Sequence, residues 1–373
     1  MTSVIGGFKS IFGIGNEGWI FNQPYGVVLV LGSKKSDLSS LLKPLFASIA
    51  AGNYTVIKPT ERLVRSETDK LVIEILKKTL DPKRSFVVDR ETDYDALISR
   101  INPDLVFTRK RDKENILTSI CGKYGIPIKI HSAGWNVGVV GISADIKEAA
   151  EQLVHNKFYK SGQNVDNLDV IYVHENVYRP FLIEAKNALY RFYTSAGDLN
   201  MNYGKICYAE DYHRLLELLE DEEFNYETSI YHNETFSRIN PILIKDPSPD
   251  SVVMTEKIFG PILPIRTFSS ILDVGTEVNE HQHVENMFYF GNNTYLYEDV
   301  KNMFKYQCLY FNCTNLPLHS VDYTPDYGKD ATMNSSLHGQ FGFSTFSRQS
   351  LFYRARSPEV LLKKDFLKSK KIN

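Results

Sequence analysis

The feature that most constrains the fold is an alternation, beginning near Tyr25, of short continuous apolar runs with amphipathic stretches. Gly26-Val27-Val28-Leu29-Val30-Leu31-Gly32 is apolar at consecutive rather than alternate positions. Such a strand is buried on both faces, which is the condition of a parallel sheet covered by helices. Leu38 to Ala51 reads as the following helix, with Ser36 and Asp37 placed to cap it. The strand Tyr54 to Ile57 then ends at Lys58-Pro59. Leu71, Val72, Ile75 and Leu76 recur at helical spacing between Ser66 and Leu80, with acids early and lysines late, as the helix dipole favours.

The alternation continues along the chain. Ser85 to Val88, Asp104 to Thr108 and Ile128 to Ile130 read as strands, with helices at Tyr94 to Ser99 and Asp112 to Tyr124 between them. This order predicts a doubly wound, Rossmann-like sheet. Beyond Ser143, a helix to Tyr159, the strand Leu168 to Val173 and helices at Val177 to Tyr193 and Ala209 to Leu219 predict a second α/β lobe. Glu220 to Asn240 is polar and weakly patterned and reads as an irregular insertion, while Lys363 to Lys371 reads as a solvated basic tail.

Composition narrows the function classes. At 373 residues the chain is long enough for two lobes with their own cores. Its 43% hydrophobic and 24% charged residues argue against disorder and membrane burial, and a net charge of −2 supplies no field for nucleic acid. Cys121, Cys207, Cys308 and Cys313 are scattered, and Cys308-x4-Cys313 lacks the second ligand pair of a zinc site, so no metal is expected. Reduced thiols, the lack of a signal-peptide pattern in Met1 to Phe12 and the lack of any apolar run of about 20 residues point to a cytoplasmic protein without a transmembrane segment.

Several short motifs occur in a fixed order. They are Pro24-x-Gly26-Val27-Val28-Leu29, Ala50-Ala51-Gly52-Asn53, Lys58-Pro59-Thr60-Glu61, Gly162-Gln163, Phe259-Gly260-Pro261-Ile262-Leu263-Pro264 and His338-Gly339-x-x-x-Phe343-x-Thr345-Phe346-Ser347. From about Pro24 to Arg348 the chain resembles the aldehyde dehydrogenase superfamily, and its fatty-aldehyde or class-three branch in particular. The resemblance implies an α/β fold with a Rossmann-type cofactor lobe, a second α/β lobe and a small β oligomerisation element. The expected divisions are a short N-terminal segment over 1–23, a cofactor-type domain over 24–134, a catalytic-type domain over 135–330 and an oligomerisation strand with basic tail over 331–373. Glu17 to Gln23 and a tail strand near Phe343 to Phe346 resemble the oligomerisation elements. The segment before Pro24 is shorter than the family's.

By the same resemblance, catalysis needs a thiolate nucleophile, oxyanion donors and a carboxylate that activates water. Val165 stands at the nucleophile position, His131 at that of the general-base glutamate and Lys35 at that of the oxyanion asparagine. A hydrocarbon removes the covalent route itself. Ser161 and Ser132 are the hydroxyls nearest by motif, with His131 as their conceivable base.

For the cofactor NAD(P), Lys58 and Glu61 match the positions that hold the adenosine ribose, although a Lys-Pro turn after a strand is also ordinary surface chemistry. Arg109 lies in the phosphate turn, Phe107-Thr108-Arg109-Lys110-Arg111, where the family has Thr-Gly-Ser. Lys257 takes the place of a glutamate that grips the nicotinamide ribose, two residues before Phe259; a lysine donates to a hydroxyl but cannot accept from one. The leading expectation is a catalytically inactive aldehyde-dehydrogenase-like protein that acts as a binding or regulatory partner, as a homodimer or with an active relative. The alternatives are an NAD(P)-dependent aldehyde dehydrogenase with an altered active site and a nucleotide or anion sensor using Lys58, Glu61 and Arg109.

Overall fold

A computed structural model describes residues 4–9, 17–32, 38–59, 67–88, 93–109, 114–131, 134–164, 166–195, 198–199, 203–220, 224–281, 284–292, 300–314, 337 and 339–354. The chain divides into two compact units. The first comprises Met1–Thr108, Asp112–Lys129 and Gly339–Asn373; the second comprises Arg109–Arg111 and Ile130–His338.

Strands β1 (Val4–Lys9) and β2 (Glu17–Pro24) form an antiparallel pair at the start of the first unit. The alternating region follows as β3 (Val27–Leu31), α1 (Ser39–Ala50), β4 (Tyr54–Lys58), α2 (Glu67–Thr79), β5 (Ser85–Val87), α3 (Tyr94–Ile101), β6 (Leu105–Arg109), α4 (Glu114–Tyr124) and β7 (Ile128–His131). The sheet order is β5-β4-β3-β6-β7. Val28, Leu29 and Val30 are wholly buried, as a central strand covered on both faces requires. Strand order reverses between β3 and β6, and in open α/β sheets the ligand crevice lies beyond the carboxyl ends at such a point. The carboxyl ends of β3, β4, β6 and β7 carry Gly32, Lys58, Arg109 and His131.

Two of the sequence motifs have structural causes in this unit. Gly26 has φ +126°, and a Cβ there would lie 2.3 Å from Asp104 Oδ2, the atom that accepts from the Val27 amide at 2.7 Å. Only glycine admits both the backbone angle and the carboxylate. Asn53 is 4% exposed and makes three long-range or turn-closing bonds. Its Oδ1 accepts from the Gly26 amide at 3.1 Å, while Nδ2 donates to the carbonyls of Ser48 at 3.1 Å and Phe346 at 2.8 Å.

The second unit is built on a six-stranded sheet. Its elements in chain order are β8 (Trp135–Val140), α5 (Ile146–Phe158), β9 (Val170–His174), α6 (Glu175–Tyr193), the pair β10 (Thr194–Ser195) and β11 (Asp198–Leu199), α7 (Ala209–Glu220), the pair β12 (His232–Asn233) and β13 (Arg238–Ile239), β14 (Ile242–Lys245), α8 (Val252–Thr255), β15 (Ile262–Phe268), α9 (Ile271–His281), β16 (Val284–Phe290) and β17 (Tyr306–Phe311). The order β14-β15-β9-β8-β16-β17 is parallel throughout its pairings. β8 is buried along its whole length, with Val137 and Val139 facing one core and Val140 the other. The last elements, α10 (Gly339–Thr345) and β18 (Ser347–Arg354), belong to the first unit, where β18 completes a sheet of order β1-β2-β18.

The structure corrects several expectations. Phe343 to Thr345 form the last turn of α10 rather than a strand, and the strand begins at Ser347. Phe346 lies between them, wholly buried with its ring 5.0 Å from that of Phe107, so the turn is fixed by side-chain burial. Leu38 holds the N-cap position of α1 without a side-chain cap bond, and Ser36 and Asp37 lie outside the described residues. Part of the stretch read as an irregular insertion is ordered into the β12–β13 hairpin, and Tyr226 bridges Ile244.

Because Asn53 fixes the starts of β3 and β4 to the carbonyl before β18, Asn53→Ala leaves buried donors and acceptors unmet. The substitution is expected to lower stability by about 2–3 kcal/mol in urea unfolding, against less than about 0.5 kcal/mol for an exposed change such as Lys83→Ala.

Candidate active site

Adjacent strands β6 and β7 end at Arg109 and His131, which the sequence placed in different roles and the fold brings together. Arg109 Nη2 lies 2.9 Å from His131 Nε2, and the histidine is 2% exposed. A guanidinium is a donor only, so Nε2 is the acceptor and the imidazole is neutral, with its proton on Nδ1. The lone pair that a general base at this position would use is therefore directed at a cation.

The segment after His131 is held by charged groups. The amide of Gly134 donates to Glu285 Oε2 at 2.6 Å, and its carbonyl accepts from Lys257 Nζ at 2.6 Å. Lys257 also pairs with Asp169 Oδ2 at 3.1 Å, with side-chain exposures of 11% and 3%. Asp169 Oδ2 accepts in addition from the Asn136 amide at 2.9 Å. The ammonium expected at a ribose is thus turned toward a carbonyl and a carboxylate of its own unit. Nearby, Lys157 on α5 is 1% exposed and donates to the Leu168 carbonyl at 2.8 Å. Burial pulls its pKa down, Asp169 opposes that and Lys257 adds to it, leaving the group at about 8.

The Gly162-Gln163 motif is explained by backbone geometry. Lys160, Ser161 and Gly162 all have positive φ, and a Cβ on Gly162 would fall 2.1 Å from the Gly260 carbonyl oxygen. The two glycine motifs therefore meet main chain to main chain, at a separation no side chain permits. Gln163 ties the turn down: Nε2 donates to Lys160 and Lys205 carbonyls at 3.1 and 2.8 Å, and Oε1 accepts from the Cys207 amide at 2.9 Å. Phe259, with φ +49°, is held in its turn by Arg214, which donates to the Ile258 carbonyl at 2.7 Å. Ser161 is 1% exposed and donates its hydroxyl to the Gly204 carbonyl at 2.7 Å, an arrangement that does not activate a nucleophile.

Lys58, in the first unit, ends β4 with 6% exposure and its Nζ 4.6 Å from the Tyr94 ring centroid. Val165, Lys35, Glu61 and Ser132 lie outside the described residues. Among the described residues there is no group of three His, Cys, Asp or Glu side chains suited to a metal, and no helix is long and apolar enough to cross a membrane. Sequence reading missed Asp169, Glu285 and Lys157. The available signal for Asp169 was a single charge at the mouth of the apolar run Leu168 to Val173.

The fold is thus a doubly wound α/β unit joined in one chain to a second parallel α/β unit. The sequence profile of the aldehyde dehydrogenase family matches residues 9–348, and the chain belongs to that family. Among curated proteins it is 26% identical over 337 residues to 4,4'-diaponeurosporen-aldehyde dehydrogenase of Staphylococcus aureus, covering 90% of this chain and 73% of that protein. It is 25% identical over 345 residues to aldehyde dehydrogenase family 3 member A2 of Rattus norvegicus, covering 91% and 70%. The solved substrate-bound state of Staphylococcus aureus AldH superposes with a TM-score of 0.80 at 25% identity, covering 96% of this chain and 77% of that one.

The ion pair at Lys257 makes a sharp expectation. Lys257→Met leaves Asp169 buried without its cation and should destabilise by about 3–5 kcal/mol in urea unfolding. Adding Asp169→Asn should recover a large part of that loss. Lys257→Glu, which restores the residue expected from the family, sets two carboxylates together and should be worse than Lys257→Met.

Proposed function

We propose that this chain keeps the aldehyde dehydrogenase fold without thiolate-dependent aldehyde oxidation and serves as a cytoplasmic binding or regulatory member of the family. The observation that carries the reading is Val165 at the nucleophile position of the Gly162-Gln163 segment. Without a thiolate no thiohemiacetal forms, and no acyl group follows for water to attack. Two further features support it. His131 at the base position directs Nε2 at Arg109, and Lys257 at the ribose position is bound up in a buried ion pair.

Enzymes of this family use NAD(P). The residues described here fit that cofactor poorly at its nicotinamide end, because the Lys257 ammonium is committed to Gly134 and Asp169. At the adenosine end Lys58 sits at the carboxyl end of β4, where a ribose hydroxyl is a chemically suitable partner. Association with a second copy or an active relative is supported by β18, whose Leu351, Phe352 and Tyr353 are 68%, 50% and 47% exposed.

A second reading, NAD(P)-dependent oxidation of an aldehyde by an altered site, is favoured by the names of both curated relatives, which are aldehyde dehydrogenases. One assay separates the two. The purified chain, given NAD or NADP and a long-chain aldehyde, should produce no NADH or NADPH above the protein-free rate. Val165→Cys alone should remain inactive, since the base position is still His131. Cofactor reduction by the unaltered chain that disappears on changing His131 or Ser161 would establish the second reading.

A further inference from the structure

A ribose diol presents two O–H donors, for which a carboxylate has matching acceptors and an ammonium has none. Lys257 stands where the resemblance places the glutamate that grips the nicotinamide ribose. The carboxylates around it do not make good the loss. Asp169 Oδ2 already accepts from Lys257 at 3.1 Å and from the Asn136 amide at 2.9 Å, and its side chain is 3% exposed. Glu285, also buried, accepts from the Gly134 amide at 2.6 Å. Glu256 is exposed and adjacent in sequence, but its backbone is extended, with φ −115° and ψ 143°. Along an extended chain successive side chains leave on opposite sides, so Glu256 cannot stand in for its neighbour. Lys257 itself is turned inward, with Nζ 2.6 Å from the Gly134 carbonyl. All of these residues belong to the second unit.

We infer that this chain does not register the nicotinamide half of NAD(P). The second ribose and the ring add nothing to binding, and the oxidised and reduced cofactors are equivalent to it. NAD and NADH differ by a hydride and one positive charge at the ring, so telling them apart requires that the ring be held. The grip that would hold it through the ribose is spent on Asp169 and Gly134. Together with the reading of the chain as a binding or regulatory member of its family, on which this rests, one role is removed. A regulatory subunit built this way does not report whether NAD(P) is oxidised or reduced.

A carboxylate accepting from the diol makes a ligand that carries the second ribose bind about tenfold or more tightly than one that lacks it. ADP lacks that ribose, ADP-ribose carries it, and NAD and NADH carry the ring as well. Isothermal titration calorimetry of the intact chain with these four ligands at neutral pH should give dissociation constants that agree within about threefold. No detectable heat with any of the four meets the expectation equally. Binding of ADP-ribose or NAD more than about threefold tighter than ADP, or a larger gap than that between NAD and NADH, would overturn the inference.

A variant pair checks the assignment to Lys257. Lys257→Met combined with Asp169→Asn removes the ammonium and the buried carboxylate charge together, with circular dichroism to confirm folding. The ratios should not change, whereas a loss of NAD affinity relative to ADP would show the lysine holding the ligand. Tight, NAD-selective binding without formation of NADH would sink this inference and leave the loss of aldehyde oxidation standing, so the two fail separately.

Discussion

The second unit depends on solving one electrostatic problem, the carboxylate of Asp169 at the entrance to a parallel sheet. A buried charge of this kind is tolerated only when paired and fully hydrogen-bonded. Lys257 supplies the pair, the Asn136 amide a further donor, and Lys157 a second positive group close by. The same Lys257 reaches the Gly134 carbonyl, so the carboxylate's partner also holds the residue that leads into β8. Glu285, on β16, accepts from the amide N–H of the same glycine. Three strands, β8, β9 and β16, are thereby registered at one end by polar contacts that leave the apolar interior uninterrupted.

Two residues expected at catalytic or cofactor positions are held by separate local partners. Lys257, expected at a ribose-binding position, is accommodated by Asp169 and the Gly134 carbonyl. His131, expected at a general-base position, accepts from Arg109 at the end of the neighbouring strand. Both side chains are thus held by partners within the second unit, so neither is left as an uncompensated buried group.

Much of the first unit was legible in the sequence. Continuous apolar runs such as Val27 to Leu31 point to strands buried on both faces, and Gly32 and Pro59 marked where β3 and β4 stopped. The second sheet was harder. Trp135-Asn136-Val137-Gly138-Val139-Val140 interleaves a buried asparagine and a glycine with its apolar residues, and nothing local shows that Asn136 meets Asn167 and Asn286. Phe343 to Phe346 misled because β-favouring aromatics were placed there for burial, with Phe346 against Phe107, and not for a ladder. In the candidate site, residue positions could be read from motifs, but partners could not. The Arg109–His131 contact and the Lys257–Asp169 pair join residues distant in sequence, and only the parallel topology brings them together.

The contact between Gly162 and the Gly260 carbonyl has a consequence for how such chains are recognised. Two of the motifs that most readily signal an aldehyde dehydrogenase are here the two halves of a steric lock, and the lock serves the fold whether or not a thiol stands beside it. Glycine is required at 162, where a methyl group would collide with the Gly260 main chain, whereas at 260 it would meet only the end of the Leu215 side chain. What the paired motifs certify is the closeness of two backbones, and the presence of an active site has to be read from the residues next to them.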